Sequence, residues 1–297
     1  MDGPVLRAQG LVKEFRGFRA VDGVDLDVAD GSVHALVGPN GAGKTTLFNL
    51  LTGFLKPSAG RIRLGDRDLT GRRPEQVARL GVARSFQITS LFAQLTPCEH
   101  LQLALAGGTG LTWRFWRSER ALDRFSARAA ELLDQVGLAA HGHLPAGTLA
   151  YGRKRALELA LALALDPRVL LLDEPTAGMG VEDIDRTVDL VQRVREGRTV
   201  VLVEHNMSVV SRLADRVTVL QNGRVLAEGP YTEIRDDPRV IAAYLGEAPA
   251  QAGGAARAGE AKAGEARAGD VGAGDARSGK AKAGRGEALG GDAHAAG

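Results

Sequence analysis

The chain has 297 residues, enough for one large domain or two small ones, and its 44% hydrophobic and 25% charged content is typical of a soluble, folded protein. A formal net charge of +2 argues against binding to nucleic acid or an anionic membrane through overall charge. The single cysteine, Cys98, excludes an intramolecular disulfide and a cysteine-cluster metal site. No run approaches the roughly 20 apolar residues of a membrane span, and the first residues lead into no signal-like apolar region. We therefore expect a chain that is neither secreted nor membrane-spanning on its own.

Short apolar runs alternate with helix-like segments over the first 247 residues. Two of them, Leu26–Val28 and Arg61–Leu64, alternate apolar with polar residues, which favours half-exposed antiparallel strands. Four others are continuous Val- and Leu-rich runs, typical of parallel strands that are buried on both faces. These runs are Val33–Val37, Val169–Leu172, Thr199–Val203 and Val217–Leu220. The pattern predicts an α/β fold with a parallel sheet and a smaller mixed or antiparallel β-subdomain.

A glycine-rich loop follows the first buried run and precedes a helix-like segment. Its nine residues are Gly38, Pro39, Asn40, Gly41, Ala42, Gly43, Lys44, Thr45 and Thr46. In such a strand, loop and helix arrangement, backbone N–H groups and the helix N-terminus bind phosphate oxygens. Lys44 would reach the β- and γ-phosphates, and the Thr45 hydroxyl would ligate Mg²⁺. The loop predicts a nucleoside triphosphate site and leaves open a kinase, a GTPase or an ATPase.

Two carboxylates end the run at Val169–Leu172, where Asp173 and Glu174 precede Pro175. At the carboxyl end of a strand, Asp173 can bind Mg²⁺ through water and Glu174 can accept a proton from an attacking water. The chain contains no Asn-Lys-x-Asp stretch for reading guanine, so a GTPase is disfavoured.

From Ala248 to Gly297 the composition changes to alanine and glycine with alternating charges in a loose five-residue repeat. Frequent glycine costs up to about 1 kcal/mol per residue in a helix, and no apolar stripe offsets the cost of ordering. We expect this segment to be a disordered tail.

The order of these motifs resembles that of the ATP-binding subunits of ABC transporters. The resemblance covers the chain from Val5 to about Glu247. The matching segments are Ser85–Gln87 for the Q-loop, Leu149–Arg153 for the signature, Thr176–Gly180 for the D-loop and Val203–His205 for the switch histidine. More narrowly, the chain resembles the branched-chain amino-acid importer branch, which also includes urea and amide importers. That likeness rests on Leu51–Phe54, Leu149–Gly152, Ala177–Gly180 and the ending Asp237–Gly246.

The resemblance implies a P-loop ABC ATPase domain over residues 1–247, with a parallel-sheet core, an antiparallel β-subdomain and a helical subdomain at about 88–160. It implies that Phe15 stacks on adenine, although Phe18 is an alternative. Gln87 would sense the γ-phosphate and Mg²⁺ while touching the transmembrane partner, and His205 would contact the γ-phosphate. The signature residues Ala150, Tyr151 and Gly152 would meet ATP bound to the opposite subunit.

Two positions depart from the family pattern. Ala150 replaces the signature serine, whose hydroxyl would donate to a γ-phosphate, at a loss of about 1.5 to 3 kcal/mol at most. Gly180 replaces the usual D-loop aspartate, which puts communication between the two sites in doubt. Cations at Arg153–Arg155 lie where the helix dipole disfavours them, and they compensate in part for Ala150, are solvated, or make contacts unrelated to phosphate.

The resemblance implies an ATPase that couples ATP and Mg²⁺ to import, peripheral on the cytoplasmic face of the cell membrane. Its partners would be permease subunits, a second ATP-binding subunit in a head-to-tail dimer and, indirectly, a substrate-binding protein. A soluble ABC protein acting on DNA or ribosomes is disfavoured, since the chain has neither a long coiled-coil insertion nor two cassettes. Arg114 and Arg117 among aromatics at 110–117 are expected to contact the transporter or pack between helices rather than to stack on nucleic acid. The motifs present also disfavour a non-hydrolysing regulator.

Overall fold

The computed structural model describes residues 4–85, 91–108 and 120–245. Gln87, the aromatic segment 110–117 and the predicted tail 248–297 lie outside the described residues. The strands are β1 Leu6–Phe15, β2 Phe18–Val28, β3 Val33–Val37, β4 Ala59–Leu64, β5 Arg67–Asp68, β6 Val82–Arg84, β7 Val169–Asp173, β8 Thr199–Val203, β9 Arg216–Gln221 and β10 Arg224–Gly229. The helices are α1 Lys44–Leu51, α2 Pro74–Arg79, α3 Pro97–Gly108, α4 Arg120–Asp123, α5 Ser126–Gln135, α6 Tyr151–Leu163, α7 Val181–Val194, α8 Met207–Leu213, α9 Tyr231–Arg235 and α10 Pro238–Leu245.

The larger sheet has the order β10-β9-β3-β8-β7-β6, and its pairs from β9 to β6 are parallel. Every residue of β3, β7 and β8 is buried, as the continuous apolar runs predicted. Side chains of β7 alternate between two apolar clusters: Leu170 and Leu172 pack with the helices α5 and α6, whereas Val169 and Leu171 pack with α1 and the second sheet. The α/β prediction is confirmed.

The smaller sheet, of order β2-β1-β4-β5, is antiparallel. The predicted segments Leu26–Val28 and Arg61–Leu64 lie in β2 and β4, and both alternate between buried and exposed residues. This sheet closes the core over α1, with Leu6, Leu11 and Ile62 almost fully buried.

Helices α3, α5 and α6 cover the other face of the parallel sheet. Residues Leu132 and Leu133 of α5 are buried against this core, and Gly137, at a φ of 71°, follows the helix end. None of the helices in the described ranges combines the length and apolarity needed to cross a bilayer.

Candidate nucleotide-binding site

The sheet order brings the predicted motifs to one edge. In the order β3, β8, β7 and β6, neighbouring parallel strands are followed by the glycine-rich loop, by His205, by Glu174 and by Ser85. The backbone N–H of Glu174 donates to the Val203 carbonyl oxygen at 2.9 Å, so the turns after β7 and β8 touch. His205 and Glu174 therefore share one edge of the sheet.

The glycine-rich loop closely contacts two neighbouring segments. A Cβ on Gly38, whose φ is 143°, would lie 2.1 Å from the carbonyl oxygen of Leu220 on β9. One on Gly43, at a φ of 101°, would lie 2.4 Å from that of Ala20 on β2. Only glycine fits at these two positions, because a side chain would meet backbone atoms and strain φ.

The loop lines a cleft of about 310 Å³. The Lys44 ammonium lies over the loop and donates to the carbonyl oxygens of Gly38 at 2.5 Å and Pro39 at 2.8 Å. Gly43 caps the N-terminus of α1, so the cleft receives both a cation and the positive end of a helix dipole. The other lining residues are Phe18, Ala20, Asn40, Gly41, Ala42, Thr45, Thr46 and Glu174.

The two candidate stacking rings lie on opposite sides of the turn between β1 and β2, where Phe15 pairs with Phe18. Phe18 is 67% exposed and lines the cleft. Phe15, which the resemblance favoured, is 43% exposed and lies 5.0 Å from the Lys13 ammonium. The geometry therefore favours Phe18, the alternative, as the ring nearest the loop.

Asp173 is buried at the end of β7 and forms an ion pair that the sequence did not indicate. Its Oδ2 accepts from Arg84 Nη2 at 2.5 Å, and Arg84 Nη1 donates to Asn49 Oδ1 at 2.6 Å. The same guanidinium lies 5.1 Å from the ring centroid of Phe48 on α1. Arg84 thus joins β6, β7 and the helix that follows the glycine-rich loop.

Oxygen donors of the kind that Mg²⁺ prefers are present at this edge, namely the Thr45 hydroxyl and the Asp173 carboxylate. Asp173 Oδ2 is engaged by Arg84 Nη2 at 2.5 Å. These residues fit a magnesium ion next to bound phosphates. Gln87, the third expected ligand, lies outside the described residues.

Glu174 has a left-handed backbone, with a φ of 46°, which is uncommon for a non-glycine residue. The turn is held by Glu174 N–H to Val203 and by Ala177 N–H to the Glu174 carbonyl oxygen at 3.1 Å. This turn brings Glu174 to the lining of the cleft. Strained residues of this kind cluster at functional sites, where neighbours hold them in place.

Helix α6 begins at the signature segment, with Ala150 as its N-cap and no side-chain cap hydrogen bond. The Tyr151 hydroxyl donates to the Ala177 carbonyl oxygen at 3.3 Å. A Cβ on Gly152 would lie 3.4 Å from the Asp183 carboxylate near the start of α7. The signature segment therefore packs against the D-loop side of the same chain, and Gly180 is the N-cap of α7.

The three cations at the start of α6 are not equivalent. Arg155 donates to Glu158 Oε2 at 2.9 Å and to the Tyr151 hydroxyl at 3.1 Å, and only 14% of its side chain is exposed. It is therefore engaged within the chain, in agreement with the alternative of contacts unrelated to phosphate. Arg153 is exposed and Lys154 is half-buried.

Comparison with known proteins identifies the family. A family model described as "ABC transporter" matches residues 21–177, and one described as "Branched-chain amino acid ATP-binding cassette transporter" matches residues 224–250. The chain belongs to the ABC transporter ATP-binding family. The predicted ABC ATPase fold and ATPase class are thereby confirmed.

Two relatives of this ABC ATPase that are named for branched-chain amino acid transport match over their full length. The chain is 42% identical to the high-affinity branched-chain amino acid transport ATP-binding protein BraF of Pseudomonas aeruginosa, over 84% of this chain and 100% of BraF. It is 41% identical to LivG of Escherichia coli K12, with the same coverage. A crystal structure of a nucleotide-free ATP-binding cassette from an ABC transporter matches with a TM-score of 0.73 and 30% identity, covering 83% of this chain and 100% of that one.

Proposed function

We propose that this ABC ATPase energises an importer of branched-chain amino acids, or of a related small polar solute such as urea or an amide. The proposal is carried by the full-length similarity to BraF and LivG, whose names state branched-chain amino acid transport. The match of residues 224–250 to a branched-chain model supports the same branch. The chain would act at the cytoplasmic face of the cell membrane, bound to permease subunits and without nucleic acid.

Each element at the sheet edge has a role in binding ATP. The loop N–H groups and Lys44 would hold the phosphates, and Phe18 or Phe15 would stack on the adenine. Thr45 and Asp173, with Gln87, would hold Mg²⁺, which would offset negative charge on the β- and γ-phosphate oxygens when bound.

Hydrolysis would follow from the position of Glu174 on the cleft. Glu174 would accept a proton from a water whose oxygen attacks the γ-phosphorus. The bond from that phosphorus to the bridging oxygen would break, with the electron pair leaving on ADP. His205 would contact the γ-phosphate as its charge redistributes.

The nucleotide would be sandwiched between two subunits in a head-to-tail dimer. One chain supplies one glycine-rich loop and one signature segment, so the loop of each subunit would face Ala150–Gly152 or its counterpart in the other. The second subunit would be identical or related, and a substrate-binding protein would act indirectly through the permease.

The decisive test replaces Glu174 with Gln, which keeps the side-chain shape but removes the proton acceptor. We expect turnover to fall by about 100-fold or more, with ATP affinity unchanged, since general-base catalysis contributes about 10²- to 10⁴-fold. Steady-state ATPase assays and equilibrium ATP titration measure the two quantities. Glu131→Gln, at an exposed position on α5, serves as the control. Turnover of Glu174→Gln within threefold of the parent would contradict the assignment.

A further inference from the structure

One fully buried carboxylate at the sheet edge has no assigned role. Glu204 follows β8, is 0% exposed and accepts four hydrogen bonds. Its Oε1 accepts from the Thr176 hydroxyl at 2.6 Å and the Thr176 backbone N–H at 3.2 Å. Its Oε2 accepts from the backbone N–H groups of His205 at 3.1 Å and Asn206 at 3.2 Å. All four donors are neutral.

These bonds join the segments that carry two proposed functional residues. Thr176 lies two positions after Glu174, in the turn that leaves β7, whereas His205 and Asn206 leave β8 toward α8. Two successive N–H groups turned toward one oxygen fix the backbone of the His205 segment. Asn206 fixes the next step, because its side chain caps α8 by accepting from Ser208 N–H at 3.0 Å.

We propose that Glu204 is a positioning residue for ATP hydrolysis, which clamps the turn of Glu174 to the turn of His205. The inference rests on the proposed roles of those two residues. Glu174 has a left-handed φ, so its turn needs external support, and Glu204 provides it together with the Glu174 N–H to Val203 bond. Displacement of either turn would misplace the proton acceptor relative to the γ-phosphate.

The site requires a carboxylate rather than an amide of the same shape. An ionised carboxylate only accepts, and each Glu204 oxygen already has two donors. In Glu204→Gln, an NH₂ group would replace one carboxylate oxygen. Its own N–H donors would then face the two donors that this oxygen accepts from, so those two donors would lose their acceptor. The Gly38–Thr46 loop follows a different strand and makes none of these four bonds.

The experiment uses the full-length chain in the reconstituted transporter, with its second ATP-binding subunit and permease subunits. For Glu204→Gln we expect kcat to fall by about 10- to 100-fold, the range in which small displacements lower catalysis, with the ATP Kd within about threefold of the parent. A loss of folded protein alone would instead lower the amount of ATP-binding protein. Rates are therefore expressed per ATP-binding site, titrated in the same sample.

Two further variants keep the test decisive. Thr176→Val removes one of the four donors at constant shape, and we expect a smaller fall in kcat, about three- to tenfold. Glu228→Gln is the control, since Glu228 also accepts from a buried threonine hydroxyl, that of Thr218 at 3.0 Å, but lies on β10, where it is also paired with Arg216 at 2.7 Å. Its kcat should stay within twofold of the parent.

The outcomes separate this inference from the proposed function. Parental ATPase that is absent, or that survives Glu174→Gln, contradicts the proposed function. The clamp is overturned if Glu174→Gln abolishes ATPase activity while Glu204→Gln and Thr176→Val keep the parental rate per ATP-binding site. Equal losses in Glu204→Gln and Glu228→Gln would also overturn it, because they would show a general effect on the fold.

Discussion

The two surfaces proposed to meet ATP, the loop Gly38–Thr46 and the segment Ala150–Gly152, are built differently. The loop packs against its own chain at three points, with Ala42 only 2% exposed and with Gly38 and Gly43 close to carbonyl oxygens of β9 and β2. The signature segment is a helix N-terminus without a side-chain cap, and its Tyr151 is 47% exposed.

This difference predicts that substitutions in the two surfaces affect stability and ATP binding differently. The shape of the loop is fixed by backbone contacts within the fold, so substitutions there should affect stability and binding even in the isolated chain. The signature segment contacts the D-loop side of its own chain but leaves Tyr151 47% exposed, so its contribution should depend on the second subunit.

The largest effect is expected from Gly38→Ala, because the new Cβ would overlap the Leu220 carbonyl and require a strained φ. We expect a loss of about 4 kcal/mol in the free energy of unfolding, measured by urea denaturation. Gly41→Ala is the control: Gly41 also has a positive φ, of 76°, but has nothing within 4 Å of its Cβ position. Gly41→Ala should lower the free energy of unfolding by about 1 to 2 kcal/mol. Equal losses would show that the close contact at Gly38 is unimportant.

Lys44→Ala should come next, with weaker ATP binding rather than lower stability. Loss of a cation paired with phosphate should cost about 2 to 3 kcal/mol, or about 30- to 150-fold in Kd. Equilibrium titration with ATP measures the affinity, and the melting temperature without nucleotide should change little. An unchanged ATP affinity would contradict the role of the loop.

The strand that carries the loop should also be sensitive to acid. His34 on β3 is fully buried, with Nε2 2.7 Å from Thr218 Oγ1, and Nδ1 lacks a partner within the described structure. Burial lowers the pKa of His34 to about 4, while nearby Glu228 opposes this shift and Arg216 adds to it. The unfolded chain binds the proton near pH 6.5, so stability falls as the pH drops through the window between the two pKa values.

From about pH 7 to about pH 5 the loss attributable to His34 should be about 2 kcal/mol. Urea unfolding of the parent and of His34→Gln across this range measures it, since the variant lacks this titration. Parallel pH profiles for the two proteins would contradict the assignment.

Local pattern was sufficient to predict much of the fold but not the contacts across the site. The continuous apolar runs predicted β3 and β8 at their observed bounds because both faces of these strands are buried. By contrast, Arg84 and Asp173 are 89 residues apart and meet only because β6 and β7 pair. No local signal marks such a partner, and Glu204 was missed for the same reason: only the fold brings Thr176 to it.

The smallest effect is expected from Ala150→Ser. If this chain pairs with a related subunit that has a signature serine, the loop containing Lys44 meets that serine, while the partner's loop meets Ala150. The site built on Lys44 and Glu174 should then carry most hydrolysis. Restoring the hydroxyl here should raise turnover by less than about tenfold, the 1.4 kcal/mol that one hydrogen bond contributes net.

The measurement is ATPase activity of the reconstituted transporter, with Lys44→Ala in this chain or the equivalent change in its partner. Lys44→Ala should abolish most hydrolysis, because it disables the site that has a serine opposite it. If hydrolysis instead survives Lys44→Ala and is lost with the partner's change, the asymmetry runs in the opposite direction and Ala150 does not weaken its site.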